Sequence, residues 1–305
     1  MSVNEMGEIV GKRFDFVTVF EAVDSSPNGD PDRENRPRED DISHKGKVTD
    51  VCMKRKIRAM MELDGKSLYI ARNSVLEDAN KMIYDELGVS KKAKKAKKAK
   101  KEDVEESEQE DSFDPDQDKK LRSAFCRRYI DARWFGGVPC SEKFPIGRIH
   151  GPVQMSNAFS VEPIEIVETC MTRMAKSNDK DKDKASQGFG RRFAVRYGLY
   201  MATGSISPYK ADSTGMTYGE VEKLWEYLHL MWNDDRSTSR SNIRPVALFV
   251  FEHTSKLGNC PWQDLAERVK VVRNDSVSDP TSFRDYNIFV DEAGMPDGVS
   301  VKRKF

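Results

Sequence analysis

Ten residues near the start of the chain, RFDFVTVFEA from Arg13 to Ala22, are dense in aromatic and β-branched side chains and stop at a cluster of turn formers, SSPNGDPD. Such side chains pack well on a pleated surface, and the Ser, Pro, Asn, Gly and Asp that follow favour tight turns. The stretch therefore reads as a buried core strand running into a loop, so the fold has to supply a sheet around it. With 305 residues there is material for a sizeable core, as one elaborated domain or two ordinary ones.

Beyond the loop, Thr49 can cap a helix that Asp50 favours electrostatically, with Met53, Ile57, Met60 and Met61 at helical spacing and Val48 and Met53 as a hydrophobic staple. A second helix is predicted from a Ser74/Glu77 capping box, with Leu76, Ala79, Ile83 and Leu87 turned inward and a stop at Gly88. Ser90 to Asp118 differs in kind: eight lysines in KKAKKAKKAKK precede ten acidic residues between Glu102 and Asp118, the composition of a solvated insertion. The acidic run can neutralise the lysines within the chain. A helix from about Gln117 is expected to feed a strand from Ile130 to Phe135, where a Gly pair turns the chain. Met155 to Ile166 and Phe193 to Ala202 read as strands of a long hairpin with a polar tip at Lys176 to Lys184. Thr217 and Glu220 form another capping box, opening a helix with Val221, Leu224, Trp225, Leu228 and Met231 inward. Pro245 to Phe251 is a further apolar strand, and a short helix after Pro261 leads to RVKVV. The last thirty or so residues are expected to be mostly loop. This order suits an α+β core of ferredoxin-like or RNA-recognition type.

Composition narrows the function classes. Charged residues make up 33% of the chain, yet 51 Lys+Arg balance 51 Asp+Glu, so any nucleic-acid surface has to be local. The five cysteines lie apart with no CxxC pair and read as reduced, structural thiols. The N-terminus lacks an apolar core of signal type, and the longest purely apolar run in the candidate strands is Val246 to Phe251. A soluble, cytoplasmic protein with no membrane partner is expected. There is no phosphate-binding P-loop, dinucleotide glycine fingerprint or nucleophile elbow; His44, His150, His229 and His253 are scattered, and nothing demands a cofactor.

Three places invite a binding role. Lys54, Arg55 and Arg58 form a basic arc beside the apolar stripe of the first helix, at about 100° per residue, with Lys56 pointing elsewhere. Such an arc can follow a phosphate backbone, although it also fits an ordinary solvated face. The loop from Ser25 to Asp32 ends just before that helix, where backbone amides can meet an anion. Its neighbourhood also holds Asp24, Asp30 and Asp32, which in an enzymatic reading hold a divalent metal and activate water, without support from a nearby His. Arg173, Arg191, Arg192 and Arg196 frame the hairpin and can clamp phosphates or serve as surface arginines. GFGRRFAV (Gly188 to Val195) only superficially matches the glycine-and-aromatic signature of RNA-recognition sheets, because two arginines displace Phe193 from the alternation.

In order and wording, RFDFVTVFEAVDSSPNGDPD, VTDVCMKRKIR, YIDARWFGGV, GPVQMSNAFSVEPI, GRRFAVRYGLYMATGSIS, LWEYLHLMWNDDRSTSRSNIRPVALFVFEH and LGNCPWQDLAERVKV resemble the Cas-seven backbone subunits of type I-C CRISPR systems. The resemblance covers nearly the whole chain apart from the charged insert and both termini. It implies a non-catalytic subunit stacked in several copies along CRISPR RNA, presenting the guide to target DNA beside Cas-five, Cas-eight and small-subunit partners. The implied fold is one elaborated α+β domain: a ferredoxin-like, RNA-recognition-like palm at about 12–62, 129–170 and 193–273, a helical finger insertion at about 63–128 containing the charged 90–118, and a thumb hairpin at about 171–193. It further implies RNA contacts from Asn28, Gly29 and Asp30, from Lys54, Arg55 and Arg58, from Gln154, Ser156 and Asn157, and from Arg173, Arg191, Arg192 and Arg196 near the thumb. The Lys-Ala tract departs from the family pattern, as does Ala132 at a position often held by Val. Two other classes compete: a metal-dependent ribonuclease using loop aspartates, as in backbone subunits of type III systems, and a protein-interaction scaffold working through the charged insert.

Overall fold

The computed structural model describes residues 5–89, 115–173 and 188–305. In chain order its elements begin with β1 (Phe14–Ser25), β2 (Gly29–Asp30), β3 (Arg36–Pro37), β4 (Lys45–Val48) and α1 (Asp50–Leu63). There follow α2 (Leu76–Glu86), α3 (Pro115–Arg128), α4 (Ile130–Phe135), β5 (Gly136–Gly137), β6 (Ile149–His150), β7 (Val153–Met155), β8 (Ala158–Pro163), β9 (Ile166–Arg173) and β10 (Gly188–Ile206). The chain continues through α5 (Pro208–Thr214), α6 (Tyr218–Asp234), β11 (Ile243–His253), α7 (Trp262–Ala266), β12 (Val269–Arg273), β13 (Tyr286–Val290) and β14 (Val299–Arg303). Most of the charged insert and the hairpin tip from Lys176 to Lys184 lie outside the described residues. Among those described, no helix is long and apolar enough to cross a membrane.

The chain divides into two compact units, one of Met1–Gly11, Met61–Gln154 and Ser207–Val221, the other of Lys12–Met60, Met155–Ile206 and Glu222–Phe305. The second unit is built on a large antiparallel sheet with the path β14-β11-β1-β10-β8-β4, and β9 pairs with the first part of β10. β1 has a partner on each side: Phe14 to Ser25 run against Ile206 to Val195 of β10, and Phe14 to Ala22 against Glu252 to Ile243 of β11. Flanked on both sides, it is buried almost throughout. Pro245, which has no N–H to give a ladder, sits opposite Phe20 where the β1–β11 register shifts, a place where a sheet tolerates it.

Alternation along β1 sends its side chains to opposite faces. Phe16 meets Trp225 of α6 edge-on at 5.1 Å, and Phe20 stacks on Tyr200 at 5.3 Å while touching Trp232 at 4.9 Å. Val17 and Val19 join Leu199, Phe249 and Phe251 in a second core, closed by Leu265, Val269 and Tyr286. Met53 and Ile57 of α1 are fully buried, as the helical spacing predicted, and the hydroxyl of Thr49 accepts the Cys52 N–H as an N-cap.

The other unit packs Tyr69, Ile83, Tyr84, Leu121, Phe125, Tyr129 and Phe144 into one cluster. Within it Thr217 and Glu220 form the expected capping box at the start of α6, with bonds of 3.0 and 3.4 Å.

Four expectations change. Ile130 to Phe135 is a helix, not a strand, because the carboxylate of Asp131 is buried and accepts the N–H groups of Tyr69 and Ile70 at 2.7 and 3.1 Å, a long-range tie that local propensity does not encode. The Ser74/Glu77 box does not form: Ser74 Oγ donates to the carbonyls of Tyr69 and Ala71, α2 starts at Leu76, and its buried face holds Asn80, Ile83 and Tyr84 while Leu76 is exposed. The strand expected from Met155 to Ile166 is broken at Ser156 and Asn157 and again at Ile164 and Glu165. Finally, the C-terminal region forms β13 against β12 and β14 against β11, two short strands whose pairing supplies what their mixed sequence does not.

Candidate nucleic-acid interface

β1 leaves the sheet through Asp24, whose φ of +44° is left-handed, and the chain turns back over the start of α1. There the Oδ1 of Asn28 accepts both the N–H and the hydroxyl of Thr49, at 2.9 and 3.0 Å. From the opposite side, Asn157 Oδ1 accepts the Asp50 N–H at 3.0 Å. Ser156 is held beside it, its Oγ accepting the Thr203 N–H at 3.0 Å and its own N–H donating to the Thr203 carbonyl at 2.8 Å. The Cys52 thiol, raised in pKa by burial, donates to the Pro27 carbonyl. Asn28 and Asn157, distant in sequence, thus converge on the first turn of the basic helix, and Ser156, next to Asn157, is tied to Thr203 of β10.

On that helix Lys54 bridges back to Asp50 at 2.9 Å, Arg55 is exposed and Arg58 half-buried. Lys56 turns the other way, as its angular position requires: it is buried, bonded to Asp235, with its ammonium 4.7 Å from the Trp232 ring centre. Gln154, on β7, is exposed and donates to the Gly151 carbonyl at 2.9 Å.

Gly29 and Asp30 form one arm of the small β2–β3 hairpin, opposite Pro37 and Arg36. Asp30 accepts the Asp32 N–H and pairs with Arg38 at 3.2 Å, while Arg36 lies over the Phe193 ring at 5.1 Å. Neither Arg36 nor Arg38 was singled out by sequence; the alternating RENRPRED only hints at them. Asp24 is likewise engaged by an arginine, so two of the three loop aspartates face cations. Among the described residues no three of His, Cys, Asp or Glu stand together as a metal set.

The hairpin arginines separate. Arg192 is largely buried and donates to the Asp24 carbonyl at 2.6 Å and to its carboxylate at 3.2 Å. Arg191 pairs with Glu168 at 3.4 Å and Arg196 with Glu165 at 2.9 Å, both on exposed surface. The Arg173 backbone pairs with Gly188. Phe193 is buried, which removes it as a base-stacking ring. Arg192 therefore belongs with the Asn28 loop, and Arg191 and Arg196 face carboxylates of β9 and its approach.

In class, this is a mixed α+β protein on a large antiparallel sheet, with amide, hydroxyl and cationic side chains gathered at the start of one helix. The chain belongs to the family described as CRISPR-associated protein Cas7, whose model matches residues 12–291. It is 25% identical over 254 residues to the CRISPR-associated protein Cas7 of Haloferax volcanii, covering 76% of this chain and 67% of that one. Among solved structures it is similar to a chain of a "CRISPR RNA-guided surveillance complex, pre-nicking", with TM-score 0.44, 13% identity and 78% of each chain covered. A second, from a "CRISPR RNA-guided surveillance complex", has TM-score 0.36 and 12% identity, covering 77% of this chain and 68% of that chain.

Proposed function

We propose that the chain binds CRISPR RNA through its backbone as a repeated, non-catalytic subunit of a type I-C Cascade-type surveillance complex, and so presents the guide to target DNA. The observation that carries this is the convergence of Asn28 and Asn157 on the first turn of α1, the helix that bears Lys54, Arg55 and Arg58, in a chain of the Cas7 family. A protein that must hold every guide needs phosphate and ribose contacts and no base-edge readout, and amides beside cations supply those. In this reading the large sheet with α1 and α6 is an RNA-recognition-like palm, the helical insertion at about 63–128 a finger, and β9–β10 the base of a thumb at about 171–193. Gly29, Asp30 and Arg192 line the palm with Asn28, while Gln154, Arg173, Arg191 and Arg196 contact RNA or its neighbours further along. In this reading its partners are other copies of itself and Cas-five, Cas-eight and small-subunit types, and modest grips repeated along one RNA give avidity.

Salt-dependent binding to single-stranded RNAs of increasing length, with particle mass followed alongside, tests this. Mass should climb with RNA length, and Lys54→Ala/Arg58→Ala should flatten the salt slope by about 0.7 per lost phosphate contact. A chain that stays monomeric with every RNA, alone and with its partner subunits, defeats the reading.

A further inference from the structure

Phe159 stands out on the sheet. In β8 it is flanked by Ala158 and Ser160, both buried, yet it is itself 41% exposed. Its cross-strand neighbours are Met201 on β10 and Lys47 on β4, and the Lys47 ammonium lies 5.9 Å from the ring centre. Two residues earlier, Asn157 binds the first turn of α1, and Ser156 binds Thr203, which shares a face with Met201. Single exposed apolar side chains are ordinary on protein surfaces. This one carries a cation beside its ring and adjoins the amide and hydroxyl groups that the proposed function assigns to RNA.

We propose that Phe159 is a stacking platform for one nucleobase of the bound RNA, with Lys47 neutralising the adjoining phosphate. The inference rests on the RNA-binding reading and deepens it, adding a base-facing contact to a site otherwise built for backbone. The chemistry fits: a flat π-face accepts any base without reading its edges, and a neighbouring ammonium supplies the charge the strand needs. Lys47 is shared with the carboxylate of Asp40, but that carboxylate is already occupied by the Ser43 N–H and hydroxyl at 2.8 Å each. The partly buried Met201 widens the apolar floor beside the ring.

The full chain should be compared with Phe159→Ala and Phe159→Trp for binding to a short oligouridylate and to a ribose-phosphate strand of equal length without bases. Wild type should prefer the strand with bases. Phe159→Ala should lose about five- to a hundredfold in affinity for it, with its salt slope unchanged and its binding to the baseless strand intact. Phe159→Trp should keep the preference and show fluorescence quenching beyond that of the four native tryptophans. Wild-type affinity in Phe159→Ala, equal loss on both strands, or an introduced indole whose fluorescence is not quenched by the oligouridylate overturns the platform while leaving backbone binding in place. Loss of self-association with RNA binding intact overturns it in favour of a protein contact. A wild-type chain that binds neither strand brings down both the RNA reading and this one.

Discussion

The Oδ1 atom of Asn28 accepts two hydrogen bonds from Thr49, from its N–H and from its hydroxyl, and so fastens the loop after β1 to the start of α1. Asn28→Ala leaves the Thr49 N–H without its acceptor, at a cost of about 1–2 kcal/mol. Asn28→Asp keeps the acceptor and adds a negative charge where RNA is proposed to lie. The alanine variant should therefore melt lower, whereas the aspartate variant should melt near wild type and bind RNA more weakly. Thermal melts beside RNA titrations separate the two.

In the proposed interface, Asp24 and the RNA would compete for one guanidinium. The Asp24 carboxylate sits 3.2 Å from Arg192, and on the proposed reading it holds the guanidinium a phosphate oxygen would take. Asp24→Asn should raise RNA affinity by about two- to fivefold at moderate salt, since a pair whose carboxylate is exposed is worth up to about 1 kcal/mol. Arg192→Ala should lower affinity and flatten the salt slope. Unchanged binding in both variants would remove Arg192 from the interface.

Lys56 and Asp235 form a pair in which the lysine is almost wholly enclosed beside Trp232. Asp235→Ala strands a buried ammonium and should cost about 2–4 kcal/mol in denaturant unfolding. Lys56→Met, which keeps the apolar stem and removes the charge, should cost much less. Equal losses would show that the charge pair itself, rather than its being broken on one side, holds α1 to the end of α6.

Burial raises the pKa of the Asp15 carboxyl, but hydrogen bonds from His253 and Arg13, with the charge of Arg13, outweigh it and hold the group below its ordinary value. His253 is fully buried; its Nδ1 accepts the Asn259 N–H at 3.0 Å, so Nε2 carries the proton toward Asp15 at 2.9 Å. A depressed folded pKa means stabilisation that is complete above the unfolded value of about 3.9 and is lost as pH falls through the folded one. Asp15→Asn should thus be less stable than wild type at neutral pH, with the gap closing below about pH 4. Unfolding curves across that range decide it, and a gap constant with pH refutes it.

Patterned stretches were legible in the sequence. β1, α1, α6 and β11 have runs or periodicities long enough to outvote local ambiguity, and the Thr217/Glu220 box is a local device that needs nothing distant. α4 was not legible, since its helix depends on Asp131 reaching Tyr69 and Ile70 some sixty residues away. β13 and β14 were missed because five mixed residues become strands only when a partner is supplied. At the candidate interface the spacing placed Lys54, Arg55 and Arg58 on one arc and turned Lys56 away. It could not show that Lys56 would be buried, that Arg36 and Arg38 belong to the Asn28 loop, or that Phe159 would be left uncovered, because each depends on a pairing between distant segments.

Both neighbours of β1 lie far downstream, starting at Gly188 and Ile243. At synthesis rates of roughly 5–20 residues per second, β1 leaves the ribosome on the order of ten seconds before the first of them exists. During that interval the strand that later packs Phe16 on Trp225 and Phe20 on Tyr200 has neither ladder nor cover. A ribosome stalled after β1 has emerged and before Gly188 is made therefore displays a naked, aromatic strand edge. Soluble yield in a cell should consequently fall when translation pauses in that interval without a chaperone at the exit tunnel, even for variants whose folded stability is unchanged.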